Sequence, residues 1–198
     1  MNTFFLDRLN SEPHALAFAG QSTPWPVALA DQSANPALDE ALHTHAAAAQ
    51  ALLYPVSAEL LATTGRPVDL FGFEPNPARL GAAAAASASV PGIALTQLGA
   101  LLDAAALGYN PAQAKPVAVL GHSQGVLAVH MVQAICEAGS IDAAAAKIDE
   151  ILAIATLIGV AGTRQARQLG LAARHGEATP MLSVKDITCL LYTSDAAD

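Results

Sequence analysis

The chain has 198 residues, of which 53% are hydrophobic and 13% charged, and its formal net charge is −8. This length and composition allow a buried core and exclude an intrinsically disordered chain. The negative charge argues against a nucleic-acid partner, because phosphate backbones are bound by clustered lysine and arginine side chains. The two cysteines and six histidines have no metal-ligand spacing, so no metal site is expected.

Neither a membrane span nor a secretion signal is predicted. We find no run of about 18 strongly apolar residues, and the N-terminus has no basic region followed by a long apolar one. A cytoplasmic protein with no membrane partner is therefore expected.

The first half of the chain predicts one strand followed by helices. The apolar run 16–19 is typical of a buried strand, and Gly20 and Gln21 open the loop after it. Helices are predicted on either side of Pro55 within residues 35–61, with His43 and His45 on a solvated face. A further apolar helix is predicted over 93–106, after the Val-Pro-Gly of residues 90–92 and before a terminating Gly108.

The second half predicts a strand, a tight turn and a helix in immediate succession. Residues 116–120 are typical of a strand and residues 126–138 of a helix, so residues 121–125 form the turn between them. One or two helices are predicted over 141–167, and a strand begins within 179–184. The fold class expected is α/β, with a short parallel sheet flanked by helices and Ser123 at the carboxyl end of its strand.

The turn sequence Gly121-His122-Ser123-Gln124-Gly125 has the pattern of a catalytic serine elbow. A serine hydroxyl is a weak nucleophile, so it must be exposed where a base can reach it and backbone N–H groups can hold the oxyanion. Glycines at 121 and 125 let the strand and helix approach closely. Ser123 is therefore the predicted nucleophile. His122 is expected to have a structural role, and His130 to be packed or exposed.

Several segments resemble the acyltransferase domains of fatty acid synthases, most closely the acetyl-loading domain of bacterial single-chain and fungal synthases. They are residues 17–21, 89–98, the serine elbow, 157–160 and 180–184, in the order of that family. The resemblance implies acyl transfer from acyl-CoA, through an acyl-Ser123 enzyme, to the phosphopantetheine thiol of an acyl carrier protein in fatty acid biosynthesis. It implies backbone oxyanion donors at Gln21 and Gln124, and pocket residues Gln97 and Ile158. The expected partners are the carrier protein and the remaining synthase domains, with no bound cofactor.

The resemblance also bears on the acyl group. Malonyl-selecting relatives hold the substrate carboxylate with an arginine on a helix after the elbow. Here residues 157–160 are apolar, which favours a neutral acyl group, acetyl first. Arg164 lies within two turns and is the remaining candidate for a carboxylate ligand.

The histidine that this family uses as its base has no counterpart in the sequence. His175 lies in a polar segment that does not match the family motif. Residues 189–198 resemble an in-frame translation of a sequencing adapter, so residues 1–188 are interpreted as the N-terminal part of the domain. On this interpretation the smaller ferredoxin-like subdomain is missing by truncation, and the fragment alone is expected to be inactive.

Three further functions are compatible with the same residues. A serine hydrolase or thioesterase of the α/β-hydrolase type would use the same elbow with a later Asp and His. Asp142, Asp149 and Asp186 follow the elbow, but none ends a predicted strand ahead of a terminal histidine. A malonyl-specific transferase and a non-catalytic segment of a multienzyme are the second and third of these functions.

Overall fold

A computed structural model of the chain describes residues 3–20, 25–64 and 86–169. Within these ranges the fold is α/β and mostly helical, around a two-stranded parallel sheet. The elements are α1 (Thr3–Ser11), β1 (Ala15–Phe18), α2 (Trp25–Ser33), α3 (Pro36–Leu52), α4 (Ser57–Thr64), α5 (Ala86–Ala106), α6 (Pro111–Ala114), β2 (Ala118–Gly121), α7 (Gly125–Ala138) and α8 (Ala145–Gln168), with a 3-10 turn at Tyr54–Val56.

The sheet consists of β1 and β2 in parallel register. Ala15 is paired with Ala118, and the register continues to Phe18 opposite Gly121. Both strands predicted from apolar runs are therefore confirmed, each within one or two residues of its predicted bounds. The strand predicted within 179–184, the loop residue Gln21 and the interpreted tail at 189–198 lie outside the described residues.

The core is organised around α5, which packs against α2, α3, α7 and α8. Ile93, Leu95 and Leu98 are fully buried. Among the described helices, α5 alone is long and apolar enough to cross a membrane, with a mean hydropathy of 1.2, but 72% of that apolar window is buried inside the protein. Its apolar character is accounted for by its central position in the core.

The start of α5 differs from the prediction. Helix was expected from residue 93, yet α5 begins at Ala86 and runs through Pro91 and Gly92. Proline lacks an N–H and removes one helical hydrogen bond, which would ordinarily end the helix nearby. Burial compensates here, because the Trp25 ring packs over Gly92 and the Ser87 N–H donates to Thr163 Oγ1 at 2.9 Å.

The other helix ends follow the local rules that the sequence indicated. Asn35 caps α3 by accepting the Ala37 N–H at 3.2 Å, and Pro36 occupies the first turn. Gly108 follows the end of α5 at a φ of 96°. Residues 141–167, for which one or two helices were predicted, contain the single long helix α8. The short helices α1 and α2 were not predicted.

The prediction that His43 and His45 share a solvated face is right for His43 and wrong for His45. The His45 side chain is only 12% exposed, and its Nδ1 lies 2.6 Å from Asp149 Oδ1 on α8. The sequence did contain a signal for this. His45 follows Leu42 by three residues and precedes Ala49 by four, and both of those residues are fully buried.

Candidate functional site

The candidate site lies where both strands of the sheet end. Phe18 and Gly121 are level in the register, and the His122 N–H donates to Phe18 O at 3.0 Å. The residues just after each strand, Gly20 and Ser123, therefore meet at one edge of the sheet. The carboxyl edge of parallel strands is where ligands bind in open α/β folds.

Ser123 has a left-handed backbone at a φ of 55° and is exposed. Such a conformation costs an L-residue about 1–2 kcal/mol and is uncommon outside glycine and asparagine. The turn is held on its far side by hydrogen bonds from Gly125 N–H to His122 O at 2.9 Å and from Val126 N–H to Ser123 O at 3.2 Å. This is the geometry of a strained serine elbow between strand and helix.

The two glycines of the motif are required by close backbone approaches. A Cβ on Gly121 would lie 2.5 Å from the carbonyl carbon of Gly125, and a Cβ on Gly125 would overlap the carbonyl oxygen of Phe18. Both obstacles are backbone atoms, which cannot rotate away. The tight contact between β1, β2 and the start of α7 therefore depends on these two positions.

Gly20 brings the end of β1 against the elbow. A Cβ at this position would lie 2.6 Å from His122 O, 2.8 Å from Ser123 Cβ and 3.4 Å from the Gln124 nitrogen. Gln124 is the N-cap of α7, so its amide lies at the positive end of that helix. Gln21, the other predicted oxyanion donor, directly follows Gly20 but lies outside the described residues.

Gln97 supports this edge from below. It lies on α5, is 8% exposed, and its Nε2 donates to Ala19 O at 2.6 Å. Its Oε1 is buried and accepts no hydrogen bond from the described part of the chain. The structure thus places Gln97 against the segment that contacts Ser123, and its predicted part in a substrate pocket stays a prediction.

Ile158 lies on α8, half exposed, in a groove between α7 and α8 with a volume of about 510 Å³. Val126 and Leu127, from the first turn of α7, line the same groove. The groove therefore begins at the helix that Ser123 leads into. Sequence reasoning identified Ile158 but missed the α7 side, although the apolar residues at 126, 127 and 134 recur with helical spacing.

The histidines near the elbow do not reach the serine. His122 and His130 are both exposed, as expected for His130, and within the ranges 3–20, 25–64 and 86–169 no histidine forms a hydrogen bond to Ser123. The structural role predicted for His122 is seen in its backbone, whose N–H and carbonyl both hold the turn. His175 lies outside the described residues.

The remaining side chains near this helix pair are not arranged as a metal centre. Among the described residues, no group of three histidine, cysteine or acidic side chains could hold a metal ion. On the α7 surface, burial and then the neighbouring Glu137 carboxylate raise the pKa of the Cys136 thiol. A raised pKa lowers the thiolate fraction, so this cysteine is a poor nucleophile compared with an ordinary thiol.

Comparison of the chain with protein-family models and with curated proteins gives no match. Function is therefore argued from the elbow, the edge of the sheet around it and the groove beside it.

Proposed function

We propose that this chain forms the nucleophile-bearing part of an acyl transferase, in which Ser123 takes an acyl group from acyl-CoA and passes it to an acyl carrier protein. The observation that carries the proposal is the left-handed, exposed serine between β2 and α7. An exposed serine contributes little to packing, so backbone strain kept at this residue favours a chemical role. A nucleophile needs that exposure.

In the first step Ser123 Oγ attacks the carbonyl carbon of the thioester, and the serine proton passes to a base. The tetrahedral intermediate carries its negative charge on the former carbonyl oxygen, for which the Gln124 and Gln21 backbone N–H groups are the proposed donors. Collapse of the intermediate breaks the carbon–sulfur bond, and CoA leaves as a thiol after receiving the proton. The proposed base is a histidine downstream of the described residues, as the family resemblance implies.

In the second step the phosphopantetheine thiol of the carrier protein attacks the acyl-serine ester. The carbon–oxygen bond to Ser123 breaks, the serine recovers its proton, and the acyl group leaves as a new thioester. The positive end of α7 favours both oxyanions, because its first N–H groups lie at the elbow. Transfer competes with hydrolysis, so the complete site must exclude water.

Two contacts support a neutral acyl group rather than malonyl. Ile158, at the position where carboxylate-binding relatives are expected to have a cation, lines an apolar groove. Arg164 is turned towards α4, where its Nη1 lies 3.1 Å from Glu59 Oε1, and both side chains are exposed. A guanidinium engaged on that face favours the assignment of a substrate without a free carboxylate.

The proposal places the chain within a cytoplasmic fatty acid synthase. Its partners would be the carrier protein and the other synthase domains, and a smaller ferredoxin-like subdomain would complete the active site. The α/β core and the parallel pairing of β1 with β2 are compatible with this assignment.

The test is acyl-enzyme formation in the intact gene product that carries this segment. Radiolabelled acetyl-CoA and malonyl-CoA are supplied to the wild type, to Ser123→Ala and to Ser57→Ala, which removes an exposed serine at the start of α4. We expect acetyl label in the wild type and in Ser57→Ala, and none in Ser123→Ala. Preferential malonyl label would overturn the substrate assignment.

Free pantetheine separates transfer from hydrolysis, the second candidate that the elbow allows. A transferase releases the label as acyl-pantetheine when the thiol is added and keeps it on the protein when it is not. A thioesterase releases free acid without any thiol. Absence of serine-dependent label from either CoA thioester would refute the catalytic assignment altogether.

A further inference from the structure

The groove between α7 and α8 continues the serine elbow along the surface of the molecule. Val126 and Leu127 follow Ser123 by three and four residues, so they lie on the face of α7 that leads away from the nucleophile. Val126 is also joined to the elbow through the hydrogen bond from its N–H to Ser123 O. An acyl group on Ser123 therefore starts at the mouth of this groove.

The walls of the groove are apolar along most of its length. On α7 the lining stripe includes Val126, Leu127 and Ala134, and on α8 it includes Ile154 and Ile158. Val126, Ile154 and Ile158 are 46–51% exposed, although aliphatic side chains gain about 1.5–3 kcal/mol from full burial. An apolar ligand in the groove would cover these side chains.

The end away from Ser123 is charged. A short connection joins α7 to α8, so the helices are antiparallel, and Glu137 and Lys147 lie at the opposite end from Val126 and Ile158. The Glu150 carboxylate, 2.7 Å from Lys147 Nζ, and then Glu137 raise the pKa of the Lys147 ammonium, which keeps this end ionised. An alkyl chain is thus accepted at one end and limited at the other.

The dimensions of the groove exceed those of an acetyl group. Eleven residues separate Val126 from Glu137, which corresponds to about 16 Å of helix. The volume of about 510 Å³ is within the range typical of small-molecule sites. A two-carbon acyl group would occupy only the mouth.

We propose that the α7–α8 groove binds the alkyl chain of a medium-length acyl substrate while its carboxyl carbon is attached to Ser123. The inference rests on the proposed acyl transfer and extends it from acetyl to longer linear acyl groups. Each methylene that the groove covers adds about 0.8 kcal/mol of apolar burial, or roughly fourfold in affinity. The groove is open on one side, so part of this gain is lost.

Binding can be measured without catalysis. Thioether analogues of butanoyl-, octanoyl- and dodecanoyl-CoA are titrated into the full chain by calorimetry, because they cannot acylate the serine. We expect octyl to bind at least tenfold more tightly than butyl, and the gain to level off once the chain reaches the charged end. Ser123→Ala should retain this dependence on chain length.

The decisive variant is Ile154→Asp, which puts a charge on a half-exposed residue in the middle of the groove. Its matched control is Leu52→Asp on α3, where the wild-type side chain is 52% exposed and does not line the groove. We expect Ile154→Asp to reduce octyl affinity at least fivefold with little effect on butyl, and Leu52→Asp to change neither.

Affinity that is independent of chain length, or equal loss in both variants, would overturn the inference. Self-association that Ile154→Asp alone abolishes would also overturn it, because the groove would then be a contact between copies. Failure of the proposed function is a separate result: if the intact protein forms no acyl-Ser123 but the dependence on chain length remains, the groove is an alkyl site without transferase chemistry.

Discussion

The left-handed backbone of Ser123 predicts that the wild-type residue costs stability, and a pair of substitutions measures that cost. Ser123→Ala removes the hydroxyl and keeps the strain, whereas Ser123→Gly removes both. Relief of the left-handed conformation is worth about 1–2 kcal/mol. Glycine loses about 0.5–1 kcal/mol of that through its larger unfolded-state entropy. Ser123→Gly should therefore be more stable than Ser123→Ala by about 0.5–1 kcal/mol.

Ser57 provides a control of opposite sign. It begins α4 with helical angles, φ −58° and ψ −37°, and is exposed like Ser123. Alanine is favoured over glycine in a helix by about 0.5–1 kcal/mol, so Ser57→Gly should be less stable than Ser57→Ala. Comparing the two pairs removes any general effect of introducing a glycine.

The assay is thermal or urea unfolding of the four variants under identical conditions. For a chain of this size 1 kcal/mol corresponds to about 2–4 °C in Tm. The expected result is a higher Tm for glycine than for alanine at position 123 and a lower one at position 57. If glycine is the less stable residue at both positions, Ser123 is not strained and the structural basis of the proposed nucleophile is lost.

Three further predictions concern packing and ionisation. Gly125→Ala should destabilise the fold by about 1–3 kcal/mol in urea unfolding, because its Cβ would overlap Phe18 O, whereas Gly162→Ala, whose Cβ would meet only a side-chain atom at 3.2 Å, should be neutral or stabilising; equal effects would contradict this account of the turn. Asp149→Ala should cost about 1.5–3 kcal/mol through loss of the partly buried contact to the α3 histidine, and an unchanged urea midpoint would count against it. Burial raises the pKa of the Cys136 thiol, so its alkylation, followed by peptide mass spectrometry, should rise with pH later than that of a model thiol peptide, and an earlier rise would refute this.

Much of the fold was predictable because the signals are local. The apolar runs before Gly20 and Gly121 predicted both strands, and Asn35, Pro36 and Gly108 marked helix ends through hydrogen bonding and backbone freedom. The serine elbow was also predictable from its glycines and the elements beside it. Each of these features depends on residues within a few positions of one another.

Contacts between distant segments were decided only by the tertiary structure. The sequence did not show that α5 continues through Pro91, because the compensating contacts come from Trp25 and Thr163. Nor did it show that His45 meets Asp149 on another helix. These interactions depend on which faces pack together, and local pattern does not specify that pairing.

The candidate site divides in the same way. The sequence alone determined that Ser123 would stand between a strand and a helix, because the spacing of apolar residues and glycines is sufficient for that. The tertiary structure decided that β1 ends beside it, that Gln97 supports the segment before Gly20, and that an apolar groove leads away from it along α7 and α8. The physical reason is that strand register and helix packing are set by burial across the whole core rather than by any one segment.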